Sequence, residues 1–298
     1  MNLKTIDPVF SFQVEVHEIP SIYSNQEETD SRVVLYLNHA AAVGYQNAVV
    51  RTPDTDIFVI LLYHCHNIQM TIYLDTGWGK HRQLVNVSEL AESLGKEYCA
   101  TLLGYYVFSG EDCTSAFKGK GKVRPLKKLE KNPKFHKAFQ QLGEDWIVDP
   151  CVQTKIEQFT CLIYGHSRDT SVDVVRAKML RKMVGENMKL TSKSKVDLAR
   201  LPPCQSALKQ HVNRVNHRMS LYKRANIPIL DKPHPYDEGQ GWMRNKEGVL
   251  EPLWSSTPVL PESLVDLIGT VEDPNEDDYD FELEHFAFDS SDESDNDA

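Results

Sequence analysis

The sequence contains no long apolar run. Its longest, Ile57–Tyr63, stops far short of the roughly 20 residues that cross a bilayer, which excludes a spanning helix. The first ten residues, MNLKTIDPVF, lack the apolar core of a secretory leader. CxxC spacing is missing too. Cys65, Cys99, Cys113, Cys151, Cys161 and Cys204 are scattered, a pattern that points to reduced thiols and away from a zinc module. No internal repeat is visible. With 41% apolar and 26% charged residues, the composition excludes collagen-like, wholly disordered and disulfide-scaffold chains. The expectation is an intracellular protein, nuclear or cytoplasmic, not secreted and with no membrane partner.

One further absence is local. From Glu272 to Ala298 there are 13 acidic residues and no Lys or Arg. The chain as a whole has 43 acidic and 33 basic side chains, a net charge of −10; without the tail, 30 acidic face 33 basic, so the body is near +3. The total charge opposes a nucleic-acid partner, whereas the charge of the body permits one. The tail, 272–298, is too acidic and too poor in ordering residues to fold, and is expected to be disordered. Its Ser290, Ser291 and Ser294 suit acid-directed phosphorylation or, more simply, a solubilising extension.

What is present reads as an α/β protein. Residues 1–23 look extended. Ser24 and Glu27 have the spacing of a capping box, followed by apolar positions from Val33 to Val43 and a stop near Gly44. NAVVR at 47–51 predicts a strand, and Thr52-Pro53 a helix start leading into Ile57–Tyr63. Strands are expected at Met70–Asp75 and Gln83–Val87, and helices at Ser88–Leu94 and Glu97–Phe108. Such alternation favours a layered α/β core. From Lys122 to Asn226 the pattern is helical, and Leu208, Val212, Val215 and Met219 mark one helical face. Residues 227–262 are rich in Pro, Gly and Trp and are expected to form an irregular strap. Its Trp242 and Trp254 serve either to anchor it or to stack on bases, anchoring being the simpler role.

Three acidic clusters fall at strand-to-helix turns or helix ends: Glu27-Glu28-Thr29-Asp30, Asp54-Thr55-Asp56 and Gly110-Glu111-Asp112. Turns at one end of an α/β sheet commonly bind ligands. Carboxylates gathered there repel unless a cation neutralises them, and paired Mg²⁺ ions can support phosphodiester hydrolysis. First-turn acids also complement the helix dipole without any further task, which is the simpler reading of Glu27. Glu28 and Asp30, two residues apart, share a face only if the first turn is irregular. After Asp112 comes a Gly-Lys segment, Lys118-Gly119-Lys120-Gly121-Lys122, which opens a run with nine basic residues and one acid up to Lys137. It serves either as a phosphate grip, a solvated face or an import signal. His64-Cys65-His66 invites a metal reading, but a helix end is the better account.

The order Glu-x-Asp, Asp-Thr-Asp after a strand, then Gly-x-Asp before a Gly-x-Gly turn resembles the flap-endonuclease-like branch of the PIN-domain nucleases. The segments SNQEETDSR, VVRTPDTDIFVILLYH, GEDCTSAFKGKGK and LPPCQSALKQH look like those of uncharacterised animal proteins linked to mobile elements. The likeness runs from about Tyr23 to Trp254 and is most specific over 24–130. It implies a PIN-like α/β core over 24–117, a helical region over 118–226 opening with a helix-hairpin-helix-like turn, a strap over 227–271 and the tail. It implies that Glu28, Asp30, Asp54, Asp56 and Asp112 bind two Mg²⁺ or Mn²⁺ ions, with Asp54, Asp56 and Asp112 catalytic. Lys118, Gly119, Lys120, Gly121, Lys122, Arg124, Lys127 and Lys128 would then bind nucleic acid, DNA foremost. Two departures stand out: Glu111 replaces the usual Cys of Gly-Cys-Asp, and no strand ending in Asp precedes Glu28. The core is therefore expected to be N-terminally incomplete. A nuclease, or a non-catalytic mobile-element remnant that binds nucleic acid or protein, are the two functions expected.

Overall fold

The computed structural model describes residues 18–184 and 197–257. The acidic tail and most of the expected N-terminal extended stretch lie outside the described residues. The first helix, α1 (Thr29–Ala42), is followed by β1 (Asn47–Arg51) and α2 (Thr55–His64). Next come β2 (Thr71–Thr76), β3 (Gln83–Asn86), α3 (Val87–Leu94) and α4 (Lys96–Phe108). Gly95, at a φ of 80°, ends α3 and opens α4.

The predicted start of α1 is corrected. Ser24 Oγ accepts from Gln26 N at 2.9 Å instead of capping a helix, and the helix begins only after Glu28. Residues 25 and 26 are engaged elsewhere. Asn25 Nδ2 donates to Leu230 O and Gln26 Nε2 to Ala225 O, both at 2.9 Å, which holds this stretch extended against the later chain. The start of α2 also moves. Asp54 caps it, accepting from Asp56 N at 2.9 Å, while Thr52 Oγ1 accepts from Asp54 N. A carboxylate at this position satisfies an orphan donor that Pro53 cannot reach.

The three strands form one sheet in the order β1-β2-β3, β1 parallel to β2 and β3 antiparallel. Register pairs Val50 with Leu74 and Leu74 with Val85, and these side chains face the core. On the opposite face Val49 and Leu84 are exposed. There Asp75 accepts from Arg51 at 2.7 Å and from Arg82 at 2.7 and 2.6 Å. Among the described residues β1 is an edge strand.

The rest is helical: α5 (Val123–Glu130), α6 (His136–Gln141), α7 (Pro150–Ile163), α8 (Val172–Val184) and α9 (Gln205–Lys223). α4 packs against α2, α6 and α9, so the hydrophobic core runs unbroken from Val34 to Ala225. Phe108, Phe139 and Phe159 meet edge-on at its centre, with ring centroids 5.2 to 6.2 Å apart. Leu208, Val212, Val215 and Met219 of α9 are fully buried, as their spacing predicts. The polar faces of α9 are buried as well, including His211, Arg214, Asn216, His217 and Arg218.

Burial of those faces is completed by the strap, which contains a short hairpin, β4 (Trp242–Arg244) and β5 (Leu250–Pro252). Arg214 Nη1 donates to Gly241 O at 3.0 Å and to Leu253 O at 2.9 Å. Gly241 has a φ of 89°, and a Cβ there would come within 2.7 Å of Gln210 O, so only glycine lets the strap approach α9 this closely. Trp242 is half-buried against His217, but Trp254 is 64% exposed, unlike the anchoring role expected for it. Among the described residues no helix is long and apolar enough to cross a membrane.

Candidate carboxylate site

β1 ends at Arg51, and the chain then turns into α2 through Asp54 and Asp56. The N-terminal turn of α1 delivers Glu28 and Asp30, and the loop after α4 delivers Glu111 and Asp112. Glu28 precedes the helix with extended backbone, φ −102° and ψ 145°. The helical rule that two residues apart means different faces therefore does not apply to Glu28 and Asp30.

These carboxylates feel one another. Burial raises the Asp30 carboxyl above its ordinary range, and the charges of Asp54, Glu28 and Asp56 raise it further. Burial likewise raises Asp56; Asp54 and Asp112 add to the shift, while the Tyr106 hydroxyl and Lys122 oppose it. Tyr106 donates to Asp56 Oδ1 at 2.5 Å, and Lys122 Nζ sits 3.7 Å from the Tyr106 ring centroid. The structure thus gathers all five expected ligands into one electrostatic neighbourhood.

Glu28 is held differently from the rest. Arg218 of α9 forks onto its two oxygens, each at 2.7 Å, and extends Nη2 toward Glu111 Oε2 at 3.4 Å. Arg218 also donates to the Tyr222 hydroxyl at 2.5 Å. The Glu111 side chain has no exposure, and its Oε1 has no hydrogen-bond partner among the described residues. Burial pushes the Glu111 carboxyl up and the Arg218 charge pulls it back. Among the described residues no three His, Cys, Asp or Glu side chains converge closely enough to hold a metal. The partners explain the spread: Glu28 is drawn to Arg218, Asp54 to its helix end and Asp56 to Tyr106.

The Gly-Lys segment forms a turn, with Lys120 N donating to Phe117 O at 3.0 Å and φ of 71° at Gly119 and 56° at Gly121. Non-glycine residues would be strained at both positions. Its lysines diverge. Lys122 leans over Tyr106 toward the carboxylates, Lys120 sits 4.1 Å from the Tyr164 ring, and Lys118 pairs with Asp197 at 3.1 Å. Arg124 and Lys127 are exposed. Lys128 donates to Leu162 O at 2.9 Å and so serves the end of α7. His64 is buried with Nε2 2.8 Å from Tyr222 O, whereas His66 is exposed, so this triplet is a helix end.

Arg218, Tyr222 and Tyr106 were not expected from sequence. Their signal is indirect: Gln205–Lys223 carries Arg214 and Arg218 but no Asp or Glu, so their partners come from elsewhere, strap carbonyls for Arg214 and carboxylates for Arg218. The chain matches no family model, no curated protein and no solved structure.

Proposed function

We propose that this chain is a nuclease-like domain of the PIN, flap-endonuclease-like kind, hydrolysing phosphodiesters of structured nucleic acid, DNA foremost, without base specificity. One observation carries the reading: carboxylates from three distant segments, 28–30, 54–56 and 111–112, lie near enough that, besides burial, their charges raise the proton affinity of Asp30 and Asp56. Like charges assembled at that cost call for a cation, and oxygen-only donors suit Mg²⁺ or Mn²⁺. A divalent ion held by Asp54, Asp56 and Asp112 would supply an activated water and neutralise the leaving oxygen.

The residues themselves contribute positioning. Asp54 is fixed by its cap, Tyr106 orients Asp56, and Lys122 offers positive charge beside them for a phosphate. Asp112 is exposed at the rim, where it can turn toward a metal. Arg218 immobilises Glu28 and Glu111 behind the Asp group.

The test is cleavage of flapped, nicked and single-stranded substrates by the purified full chain with and without Mg²⁺. Asp54→Ala or Asp112→Ala should abolish turnover with the thermal midpoint retained. Cleavage in chelator, or none on any substrate, overturns the reading. A second reading is favoured by Arg218, which already places a cation against Glu28 and Glu111. In that case the chain is a mobile-element-derived binding module, with salt-sensitive binding lost when Lys118, Lys120 and Lys122 are neutralised and with no turnover.

A further inference from the structure

Beside the Gly-Lys turn, on the α9 face that also carries Arg218, a cavity of about 270 Å³ opens to the surface. Phe117, Tyr164 and Trp254 supply aromatic faces, Lys118 and Arg214 supply charge, and His211 lies among them. Its volume is near the lower end of small-molecule pockets, of order 300 Å³. That suits a single ring system.

His211 lies behind the aromatic lining with one ring nitrogen unpartnered among the described residues. Its Nε2 lies 2.9 Å from Phe108 O, an acceptor, so the proton sits on Nε2 and Nδ1 carries a free lone pair. Nδ1 is buried and has no hydrogen-bond partner among the described residues. Burial holds the imidazole neutral, its pKa lowered to about 4. A buried acceptor of this kind costs about 1–3 kcal/mol unless a donor reaches it. The accessible lining is therefore aromatic, with Lys118 at its edge and Arg214 buried behind Trp254.

Trp254 is the exposed wall. The Arg214 guanidinium lies 5.5 Å from its ring centroid and pairs with no carboxylate among the described residues. Lys120 lies 4.1 Å from the centroid of the Tyr164 ring, a different wall of the cavity. Along α9, His211 and Arg218 are seven residues apart, about 10 Å along the axis.

We infer that this cavity is a receptor for one unpaired nucleobase of a single strand, stacked on the exposed Trp254 ring with Lys118 at the rim. A base is flat, stacks on aromatic faces, and brings flanking phosphates for Lys118 and Lys120. The inference rests on the nucleic-acid part of the proposed function, and is independent of catalysis.

The test uses the full chain in chelator, so that hydrolysis plays no part. The probe is a short oligothymidylate with one central 2-aminopurine, whose emission is quenched on stacking. Quenching on binding is expected, with Trp254→Ala weakening affinity by roughly five- to a hundred-fold, the range for loss of one base–aromatic stack. Trp254→Phe should retain most of the affinity, and the thermal midpoint should be unchanged because the ring is mostly exposed. The same strand with an abasic centre should bind like the Trp254→Ala variant. Absence of binding, equal affinity for intact and abasic strands, or equal displacement by a synthetic acidic peptide overturns the inference. Base-dependent binding without Mg²⁺-dependent cleavage upholds the pocket while removing the nuclease reading. Cleavage with an inert Trp254→Ala does the reverse.

Discussion

The carboxylate cluster has two parts of opposite character, two glutamates and four aspartates. Glu28 and Glu111 face a guanidinium that is only 7% exposed and forks onto one of them at 2.7 Å. Asp30, Asp54, Asp56 and Asp112 have no such ion pair among the described residues, and burial with mutual repulsion raises Asp30 and Asp56. One part is already neutralised and structural. The other has no cation paired to it among the described residues, and it is this part to which the proposed metal would belong. Glu111, which departs from the expected motif, belongs to the neutralised part. Its acid is matched by Arg218.

The contrast is broken most severely by Arg218→Met. Removing one partner of a buried ion pair leaves Glu111 uncompensated, and unfolding by denaturant should show a loss of about 3–5 kcal/mol. Adding Glu111→Leu should recover much of it. On the Asp side the same kind of change should have the opposite effect. Asp56→Asn keeps an acceptor for Tyr106 while removing a repelled charge, so metal-free stability should stay within about 1 kcal/mol of the parent or rise. The same variant should lose the thermal shift produced by millimolar Mg²⁺.

Acid titration sharpens the difference further. Asp30, Asp56 and Glu111 have raised folded pKa values, so their contribution to stability grows as pH falls through those values and is complete below about pH 4, the unfolded range. Glu27, Asp75, Asp169 and Asp197 are lowered, chiefly by hydrogen bonds from Lys232, Arg82, Lys178 and Lys118 respectively; their contribution is present above about pH 4 and lost below it. In chelator, the carboxylate contribution should therefore rise from pH 7 toward 4 and decline beyond. Asp30→Asn with Asp56→Asn should flatten the rise in thermal midpoint, and the Mg²⁺ shift of the parent should shrink as protons compete. The smallest effect belongs to a pair outside both parts. Lys232→Ala frees Glu27, which is 81% exposed, and denaturant unfolding should change by no more than about 0.5 kcal/mol.

The strands and helices up to Phe108 were legible because β-branched runs, Gly44 and Gly95 punctuate the chain locally. The acidic clusters were legible as clusters because each sits at a turn; their part as ligands came from the resemblance alone. Two local signals misled. The Ser24–Glu27 spacing matched a capping box, yet Asn25 and Gln26 bind backbone some 200 residues away, and that long-range pairing outweighs one cap. Thr52-Pro53 suggested a helix start that Asp54 takes instead. The polar faces of α9 were illegible for a different reason. Apolar periodicity identifies the core-facing stripe and is blind to a helix whose other faces are covered by carboxylates, aromatic rings and a strap. His211 and Arg218 became visible only through what surrounds them.

Glu28 and Arg218 are 190 residues apart, and Asn25 and Leu230 are 205 apart. During synthesis the first carboxylates emerge long before the helix that fixes them. No nascent chain that ends before residue 218 can have the finished cluster, and none that ends before residue 230 can hold the segment leading into it. The site is thus timed by the order in which the ribosome delivers its parts, and its arrival reports that nearly the whole folded body has been made.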